Sequence, residues 1–330
     1  MSRHILVLRE AEIRELLEPT ACIAAMEGAF AAYSSGQAEL PSVIHLDVPE
    51  RRGEIHIKTG HLHGGPYYAV KMVSGFPENA ALGLAVNDGM VAVFDAQTGS
   101  PAAFLLDNGF ITDYRTAAAG AVAAKHLARR EIRNVAVLGT AGQARYQPEI
   151  LTQVRGFREL RVWGRSAAKA QECVDDLRGR GKLPGGCVVK AASSVQEGAH
   201  GADIVITVTA SRQPLLHADW LMQGATVIAV GSDGPDKQEL EADCLSRANK
   251  VVAECLRLGE IHHAVERGAI TQENVYAELG EITAGRKKGR ESEDEIIICD
   301  LTGVGVQDVA AASLVMERAL AAGRGETIVI

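Results

Sequence analysis

The stretch NVAVLGTAGQARYQ, residues 134–147, joins an apolar segment to a predicted helix through a glycine-containing turn. A dinucleotide-binding turn has the pattern G-x-G-x-x-G/A, in which the glycines allow a tight turn and a close approach of the pyrophosphate, and the last small residue packs the helix. These positions are Gly139, Ala141 and Ala144, and Gly142 directly follows the substituted middle position. The stretch predicts a phosphate-binding helix N-terminus, with an ordinary glycine turn as the alternative.

The end of the next predicted strand bears on which dinucleotide would bind. NAD enzymes place an acidic residue there to bond the ribose 2′-hydroxyl, whereas an arginine accommodates a 2′-phosphate. This strand ends in RVWGRS, with Arg165 and Ser166 and without an acidic residue. The sequence therefore favours NADP(H) and leaves NAD(H) possible. The alternative is that Arg165 is a solvated loop residue.

The elements that must position this turn alternate along the chain. From residue 135 onward, short apolar segments alternate with helical patterns, which predicts a parallel sheet with right-handed crossovers. Before it come an amphipathic helix at 20–36, four or five strands of a mostly antiparallel sheet, and an Ala-rich helix at about 113–128. A last amphipathic helix occupies 308–323. This order predicts two domains.

Composition narrows the class of partner. The 330 residues carry a net charge of −8, which argues against nucleic-acid binding because that requires a surplus of Lys and Arg. No apolar run approaches the roughly 20 residues needed to cross a bilayer, so no membrane partner is expected. The six cysteines are scattered without a C-x-x-C pair, which suits a reducing compartment and a cytoplasmic location.

Two groups of histidines raise the question of a metal. His56, His61 and His63 form the first group, and Glu260, His262 and His263 form the second. Neither is accompanied by a further ligand at a recognisable spacing. We therefore interpret these residues as ordinary surface or core side chains and predict no metal.

Six ordered motifs give the chain a resemblance that covers nearly its whole length. It resembles the ornithine cyclodeaminase/mu-crystallin family, and the helix RTAAAGAVAAKHLA is the most diagnostic single piece. The resemblance implies an α/β fold: a Rossmann-type doubly wound parallel sheet domain at 125–304, and an α+β substrate-binding and dimerisation domain at 1–124 and 305–330. A homodimer is implied as well. The motifs are AVKMVSGFPEN, DNGFITDYRTAAAGAVAAKHLA, VLGTAGQAR, ADIVITVTAS, AVGSDGPDKQEL and DLTGVGVQDVAAA.

The resemblance also assigns chemistry to individual residues. Family members move a hydride to or from the carbon of a C–N bond in a small amino or imino acid. Lys71 and Arg115 match the family's carboxylate-binding cations, and Arg can hold a carboxylate through two hydrogen bonds. Lys71 is also predicted, with Asp233, as a catalytic residue. Asp233 matches the catalytic aspartate, a general acid and base at the substrate nitrogen whose pKa desolvation would raise. The alternatives are surface ion pairs for the two cations and a turn-forming role for Asp233.

Further cofactor-side residues follow from the same resemblance. Gln143, directly after the glycine turn, fits the family pattern, and Lys237 fits a lysine found near the aspartate in cyclodeaminases. Thr112 and Thr209 are placed near the cofactor, with a structural role as the alternative for both.

Two departures from the family pattern bear on the substrate. His45 stands where many members carry a carboxylate-binding arginine. His56, with Lys58 two residues on, stands where ornithine cyclodeaminase has an acidic residue for the side-chain amine. A cation there repels the second ammonium of ornithine and attracts an acidic side chain, so the substitution favours reduction of an imine or ketimine.

Two alternative functions remain open. One is ornithine cyclodeamination to proline and ammonia, in which bound NAD⁺ takes a hydride and returns it. The other is a mu-crystallin-like protein that binds NADPH and a ligand without turnover. Asp233 argues against the second alternative, because a pure binder needs no proton donor.

Overall fold

The computed structural model describes residues 3–234, 236–256 and 259–330. The strands are β1 His4–Arg9, β2 Ala38–Glu39, β3 Ile44–Val48, β4 Gly53–Leu62, β5 Tyr67–Gly75, β6 Asn87–Asp95, β7 Pro101–Leu106, β8 Asn134–Leu138, β9 Glu159–Trp163, β10 Val188–Ala191, β11 Ile204–Thr207, β12 Arg212–Leu216, β13 Thr226–Ala229, β14 Gln238–Leu240, β15 Lys250–Ala253, β16 Ala277–Glu278, β17 Ile297–Asp300 and β18 Glu326–Val329. The helices are α1 Glu10–Leu16, α2 Pro19–Ser34, α3 Phe110–Leu127, α4 Gln143–Leu151, α5 Ala167–Arg180, α6 Val195–Ala199, α7 Ala242–Ser246, α8 Glu260–Glu266, α9 Leu279–Thr283 and α10 Gly305–Ala322.

The chain divides into two compact units. Unit 1 comprises residues 1–115 and 304–330, and unit 2 comprises residues 116–303. The sequence predicts the first division after residue 124, whereas the chain divides inside α3, after Arg115. Since α3 is one continuous Ala-rich helix, no loop or change of composition marks the division in the sequence.

Unit 1 is built on an eight-stranded sheet in the order β18-β1-β7-β6-β5-β4-β2, with β3 also paired to β4. All its pairs are antiparallel except that of β1 with β7. The turn between β6 and β7 is closed by Asp95, whose carboxylate accepts hydrogen bonds from the backbone N–H groups of Gln97 and Thr98 at 3.0 and 2.7 Å. Such an Asx turn is why aspartate is favoured at this position.

Helix α10 packs on one face of that sheet, against β4 and β5, and also against α2. Its start lies close to β4: a Cβ added to Gly305 would be 2.5 Å from the carbonyl oxygen of Thr59. Only glycine allows this approach. The apolar side of α10 includes Val309, Val315 and Met316, all almost fully buried. The close packing brings polar residues of the first turn of α10 onto the sheet.

Unit 2 contains an eight-stranded sheet in which every pair is parallel, in the order β10-β9-β8-β11-β13-β17-β15-β16. Its central strands β11, β13, β17 and β15 are buried on both faces, as expected when helices cover a parallel sheet. The strand order reverses beside β8, and in open α/β sheets ligands bind at the carboxyl ends of strands near such a reversal. The predicted combination of a Rossmann-type sheet with a second α+β domain is confirmed.

Two further features concern membrane spans and cysteines. Across the described residues, no helix combines the length and apolar character needed to span a membrane. The cysteines form no disulfide there, and five of the six are buried.

Candidate functional site

The turn between β8 and α4 has the geometry that the sequence suggested. Gly139 has a φ of +137°, a conformation that L side chains rarely adopt. A Cβ at this position would lie 2.7 Å from the carbonyl oxygen of Val208, so the turn passes directly against the residue after β11. Ala141 and Gly142 are exposed ahead of α4, whereas Ala144 is completely buried. An open helix N-terminus after a buried strand fits an anionic group such as a pyrophosphate.

The turn is held from two sides. The Arg145 guanidinium donates hydrogen bonds to the carbonyl oxygens of Thr140 and Ala141, at 2.8 and 3.3 Å. Gly164, directly after β9, gives room to the Thr140 side chain, which a Cβ there would strike. The turn at Thr140 and the segment at Gly164 therefore pack directly against each other. This contact was not evident from the sequence.

Gln143 begins α4, and its side-chain oxygen accepts a hydrogen bond from Gln147 at 3.1 Å. Gln147 is buried and also donates to the carbonyl oxygen of Thr116 at 3.2 Å. Any side chain on Gly120 would collide with Gln147. The small residues of the Ala-rich helix thus allow α4 to pack closely against α3.

Arg165 and Ser166 follow β9. Arg165 is exposed, and Ser166 is the N-cap of α5, where its hydroxyl accepts a hydrogen bond from the Lys169 N–H at 3.4 Å. This geometry gives Ser166 a structural function, because N-cap hydroxyls satisfy otherwise unpaired helix donors.

Asp233 lies in the loop beyond β13, at the carboxyl edge of the sheet. Its side chain is 42% exposed, and its Oδ1 accepts a hydrogen bond from Lys237 Nζ at 2.7 Å. The backbone of Lys237 is fixed by two contacts of its carbonyl oxygen. This oxygen lies 2.7 Å from His263 Nε2 and accepts a hydrogen bond from the Ser232 hydroxyl at 2.5 Å. The structure therefore brings Asp233 and Lys237 together.

Glu239 is a buried acidic residue that was not predicted from the sequence. Its carboxylate is completely buried and accepts hydrogen bonds from Thr207 Oγ1 at 2.6 Å, Gly231 N at 2.8 Å, and both N and Oγ1 of Thr209 at 2.5 and 2.7 Å. Glu239 thereby ties together the residues after β11 and β13. Thr209 consequently has a structural hydrogen-bond partner. This contact is consistent with the structural role that was the alternative to cofactor binding for Thr209. In the sequence, the charged residue Glu239 in the motif DKQEL was the feature that could have indicated this buried carboxylate.

More buried carboxyl groups lie along the same edge of unit 2. Glu260 accepts hydrogen bonds from the backbone N–H groups of Glu239 and Leu240, at 2.6 and 3.1 Å. Asp300, the last residue of β17, accepts from the Ile261 N–H at 3.0 Å. Burial raises the pKa of both Glu260 and Asp300, and the negative charges of neighbouring carboxyl groups raise them further. These groups organise loops rather than face solvent.

In unit 1, Lys71 and Arg115 meet at a carboxylate that the sequence analysis did not assign. Asp308, in the first turn of α10, lies 3.0 Å from Lys71 Nζ and accepts a hydrogen bond from Arg115 Nε at 2.9 Å. Arg115 also donates to Gln307. All four side chains are almost completely buried. In the sequence, the aspartate in the largely apolar stretch VQDVAAA was the feature that could have indicated a buried ion pair.

Burial decides the charge states in this cluster. Desolvation lowers the pKa of Lys71 to about 7, with the Arg115 charge acting in the same direction and the Asp308 charge opposing it. Burial by itself would raise the pKa of Asp308, but Arg115 and Lys71 outweigh it and hold that pKa below its ordinary value. Two cations therefore share one carboxylate, and Lys71 is poised to change charge near neutral pH.

Neighbouring elements add to this cluster. Lys58 on β4 lies directly opposite Lys71 in the antiparallel ladder, so both side chains leave the same face of the sheet. Thr112 is half-buried in the first turn of α3. That turn is held by Asp107, whose carboxylate accepts a hydrogen bond from the Ile111 N–H at 2.8 Å. The same helix carries Arg115.

His45 and His56 are brought together on that face, further along the sheet. They are directly opposite each other on β3 and β4, and their rings are 4.4 Å apart at an interplanar angle of 89°. Each also has a carboxylate nearby: His45 Nε2 is 3.2 Å from Asp47 Oδ1, and His56 Nε2 is 3.7 Å from Glu54 Oε2. These carboxylates reduce the positive charge available to a substrate.

The other histidines have ordinary partners. His61 Nδ1 lies 3.2 Å from the carbonyl oxygen of Tyr67, and His63 Nε2 lies 3.2 Å from Glu39 Oε1. On α8, His262 Nε2 is 3.4 Å from Glu266. The two histidine groups noted in the sequence are therefore each divided among separate contacts.

Comparison with known proteins identifies the family. Residues 3–323 match the sequence profile of the ornithine cyclodeaminase/mu-crystallin family. The chain belongs to this family. Among its relatives, a putative dehydrogenase of Rhizobium meliloti is 43% identical over 328 residues, which cover 97% of this chain and 98% of the relative.

Solved structures of the family resemble the whole chain. An archaeal alanine dehydrogenase dimer with bound NAD has a TM-score of 0.89 at 34% identity, with 99% of each chain covered. The Δ1-pyrroline-2-carboxylate reductase of Thermococcus litoralis, in complex with NADH and L-proline, has a TM-score of 0.91 at 30% identity, with 98% of this chain and 100% of that chain covered. The predicted family and nicotinamide cofactor class are confirmed.

Proposed function

We propose that this protein reduces the C=N bond of a small imino acid, and that the buried Lys71–Arg115–Asp308 cluster holds the substrate carboxylate. As a family member whose relatives include an alanine dehydrogenase and a pyrroline-2-carboxylate reductase, it is an NAD(P)-dependent oxidoreductase acting on C–N bonds. The nicotinamide would supply a hydride to the substrate carbon.

The concentration of positive charge in unit 1 is the observation that carries the proposal. Lys71 and Arg115 both contact the carboxylate of Asp308, and Lys58, directly opposite Lys71 on the sheet, adds a third positive charge to the same face. Like charges directly opposite on a ladder destabilise a sheet, and a substrate carboxylate would relieve the repulsion between Lys58 and Lys71. In this proposal, Asp308 positions both buried cations, and Arg115 offers its remaining N–H groups to the substrate.

Asp233 is proposed to handle the proton. As hydride reaches carbon, the nitrogen gains a proton from the Asp233 carboxyl, so that C=N becomes CH–NH. In the reverse direction, the Asp233 carboxylate accepts that proton. Lys237, whose Nζ lies 2.7 Å from Asp233 Oδ1, is suited to exchange a proton with it. Gly139, Ala141, Gly142 and Gln143 are proposed to receive the cofactor pyrophosphate, and the buried Ala144 is proposed to let the helix pack close behind them.

The chain's preference between cofactors is proposed to be NADP(H). The exposed Arg165 after β9 supports this, because a guanidinium pairs strongly with a phosphate. Losing such a charge-assisted hydrogen bond costs about 1.5–3 kcal/mol, so Arg165→Ala should lower the ratio of kcat/KM for NADPH over NADH about tenfold or more. Ser166→Ala, which removes a helix cap, serves as the control for local disruption. An unchanged ratio in Arg165→Ala would contradict the preference.

We also propose a homodimer. The face of β3, β4 and β5 opposite to α10 exposes Ile44, Leu46 and Met72, with residue exposures of 60, 54 and 45%. Contiguous apolar surface of this kind is typical of association sites. A second copy of the chain would cover it.

The absence of disulfides among the described cysteines supports a reducing compartment, as in the cytoplasm.

The deciding experiment compares reduction with cyclodeamination. NADPH and NADH oxidation would be followed with cyclic ketimines and with 2-oxo acids plus ammonia, and ammonia release would be followed with ornithine and NAD⁺. Steady oxidation that is lost in Asp233→Asn supports imine reduction with Asp233 as the proton donor. Proline and ammonia without net cofactor change would instead identify a cyclodeaminase, against which Lys58 argues because it repels a second ammonium. Cofactor binding without any turnover would identify a binding protein.

A further inference from the structure

The β3–β4 hairpin carries two cross-strand pairs of potential metal ligands. His45 lies directly opposite His56, and Asp47 lies directly opposite Glu54. Because side chains alternate along a strand and opposite residues share a face, all four project from the same side of the sheet. The local sequence IHLDV followed by GEIHI thus places two imidazoles and two carboxylates together.

Three of these groups converge closely. The ligand atoms of His45, Glu54 and His56 all lie within 4.8 Å of one another. The two imidazole rings meet edge to face at 4.4 Å. Within the described parts of the chain, no other three His, Cys, Asp or Glu residues come together in this way. The pairs His63–Glu39 and His262–Glu266 each bring only one imidazole to one carboxylate.

The charges at this end of the sheet suit a cation. Asp47 and Glu54 are carboxylates placed directly opposite each other, an arrangement that destabilises a strand pair unless positive charge lies between them. The Lys58 and Lys71 end of the same face is rich in cations instead. The face therefore carries two lysine side chains at one end and imidazoles with carboxylates at the other.

The donor set points to a particular class of ion. Two imidazoles with a carboxylate suit Zn²⁺, Co²⁺, Ni²⁺ and Cu²⁺, whereas Mg²⁺ and Ca²⁺ prefer oxygen ligands. Tetrahedral bonds of about 2.0–2.1 Å would bring the ligand atoms to roughly 3.4 Å from one another. The required contraction is small, and His45 and Glu54, with side chains 47 and 45% exposed, are free of the close packing that would prevent it.

We propose that His45, Glu54 and His56 bind one divalent transition-metal ion of the zinc class, which cross-links edge strand β3 to β4. Asp47 is available as a fourth ligand, and water would otherwise complete the coordination. This site is separate in chemistry from the proposed substrate-binding cations and does not rest on the proposed reaction. It replaces the substrate-binding role that the sequence analysis suggested for His45 and His56.

The test measures metal binding directly. Protein without a polyhistidine tag would be stripped with a chelator and titrated near neutral pH with Zn²⁺ by calorimetry and with Co²⁺ by visible absorption. We expect one equivalent per chain, a Co²⁺ spectrum of nitrogen and oxygen ligation, and a rise in melting temperature with Zn²⁺. His45→Ala and His56→Ala should each weaken binding by at least about tenfold, since even changes outside the ligand set cost that much.

His63→Ala and Glu39→Gln are matched controls, because they alter an exposed histidine–carboxylate pair of the same unit and should leave the affinity unchanged. Glu54→Gln preserves the shape of the ligand side chain and tests the carboxylate should a histidine variant fold poorly. Substoichiometric binding, or one-equivalent binding that survives in the His45→Ala/His56→Ala double variant, would overturn the site. Folding of each metal-free variant is verified by circular dichroism, and enzymatic activity is not the readout.

Discussion

Asp308 shows why a single residue can control a site. It is the carboxylate that lies between two almost fully buried cations, Lys71 and Arg115. Buried ion pairs contribute little net stability, because desolvation offsets their attraction, yet removal of one partner leaves an uncompensated buried charge. The energetic cost of such a buried charged cluster is explained if the cluster binds a ligand.

We therefore predict that Asp308→Asn destabilises the protein by about 3–5 kcal/mol. Urea unfolding followed by circular dichroism measures this change. Glu326→Gln is the control, because its ion pair with Arg9 is more than 60% exposed on both sides and should be worth at most about 1 kcal/mol. Equal effects of the two substitutions would show that the buried cluster carries no special energetic weight.

The charge state of Lys71 should make the binding of a carboxylate depend on pH. With its pKa lowered by burial to about 7, the side chain is protonated below that pH and loses its charge above it. The inhibition constant of a non-reducible carboxylic acid should therefore be flat below about pH 7 and rise above it. In Lys71→Arg the rise should disappear, since a guanidinium remains charged. A rise that persists in Lys71→Arg would assign the pH dependence to another group.

At the scale of elements, the β8–α4 turn depends on one backbone conformation. Gly139 combines a positive φ with a contact to Val208 that leaves no room for a side chain. Gly139→Ala should cost about 1–3 kcal/mol of stability and weaken NAD(P)H binding, because both strain and collision would move the turn.

Cofactor fluorescence and thermal unfolding measure the two effects of Gly139→Ala. Gly156→Ala is the matched control, since a Cβ at Gly156 meets no atom within 4 Å and its φ is not positive. The proposal that this turn receives the cofactor would fail if Gly139→Ala lost stability but kept full cofactor affinity.

At the scale of the whole molecule, we propose that a second copy of the chain covers the apolar face of the unit 1 sheet. Leu46, 54% exposed, lies on edge strand β3 and projects from that face. We predict that Leu46→Lys converts the dimer to a monomer in light scattering coupled to size exclusion. Val188→Lys, at an apolar position of unit 2 that is 55% exposed, should leave the assembly unchanged. A wild-type monomer, or a dimer that persists in Leu46→Lys, would exclude this face as the interface.

Much of the architecture followed from the sequence because its determinants are local. The alternation of apolar strands with helices beyond residue 135 predicts a parallel sheet from periodicity alone. Gly139 was recognisable because a turn of this kind requires glycine. The Ala-rich helix was also visible, but the division of the units after Arg115 was not, since one continuous helix belongs to both.

The partners of the functional side chains depended on tertiary structure. Lys71 and Asp308 are separated by 237 positions, and only the packing of α10 on the sheet brings them together. The same holds for Glu239, which accepts hydrogen bonds from Thr209 after β11 and Gly231 after β13. It also holds for His45 and His56, whose pairing depends on the register of β3 with β4. By itself the sequence determined the residue types and the local elements, because propensity and periodicity act over neighbouring positions. Only the tertiary structure decided which charges meet, because burial and Coulomb interactions depend on distance in space.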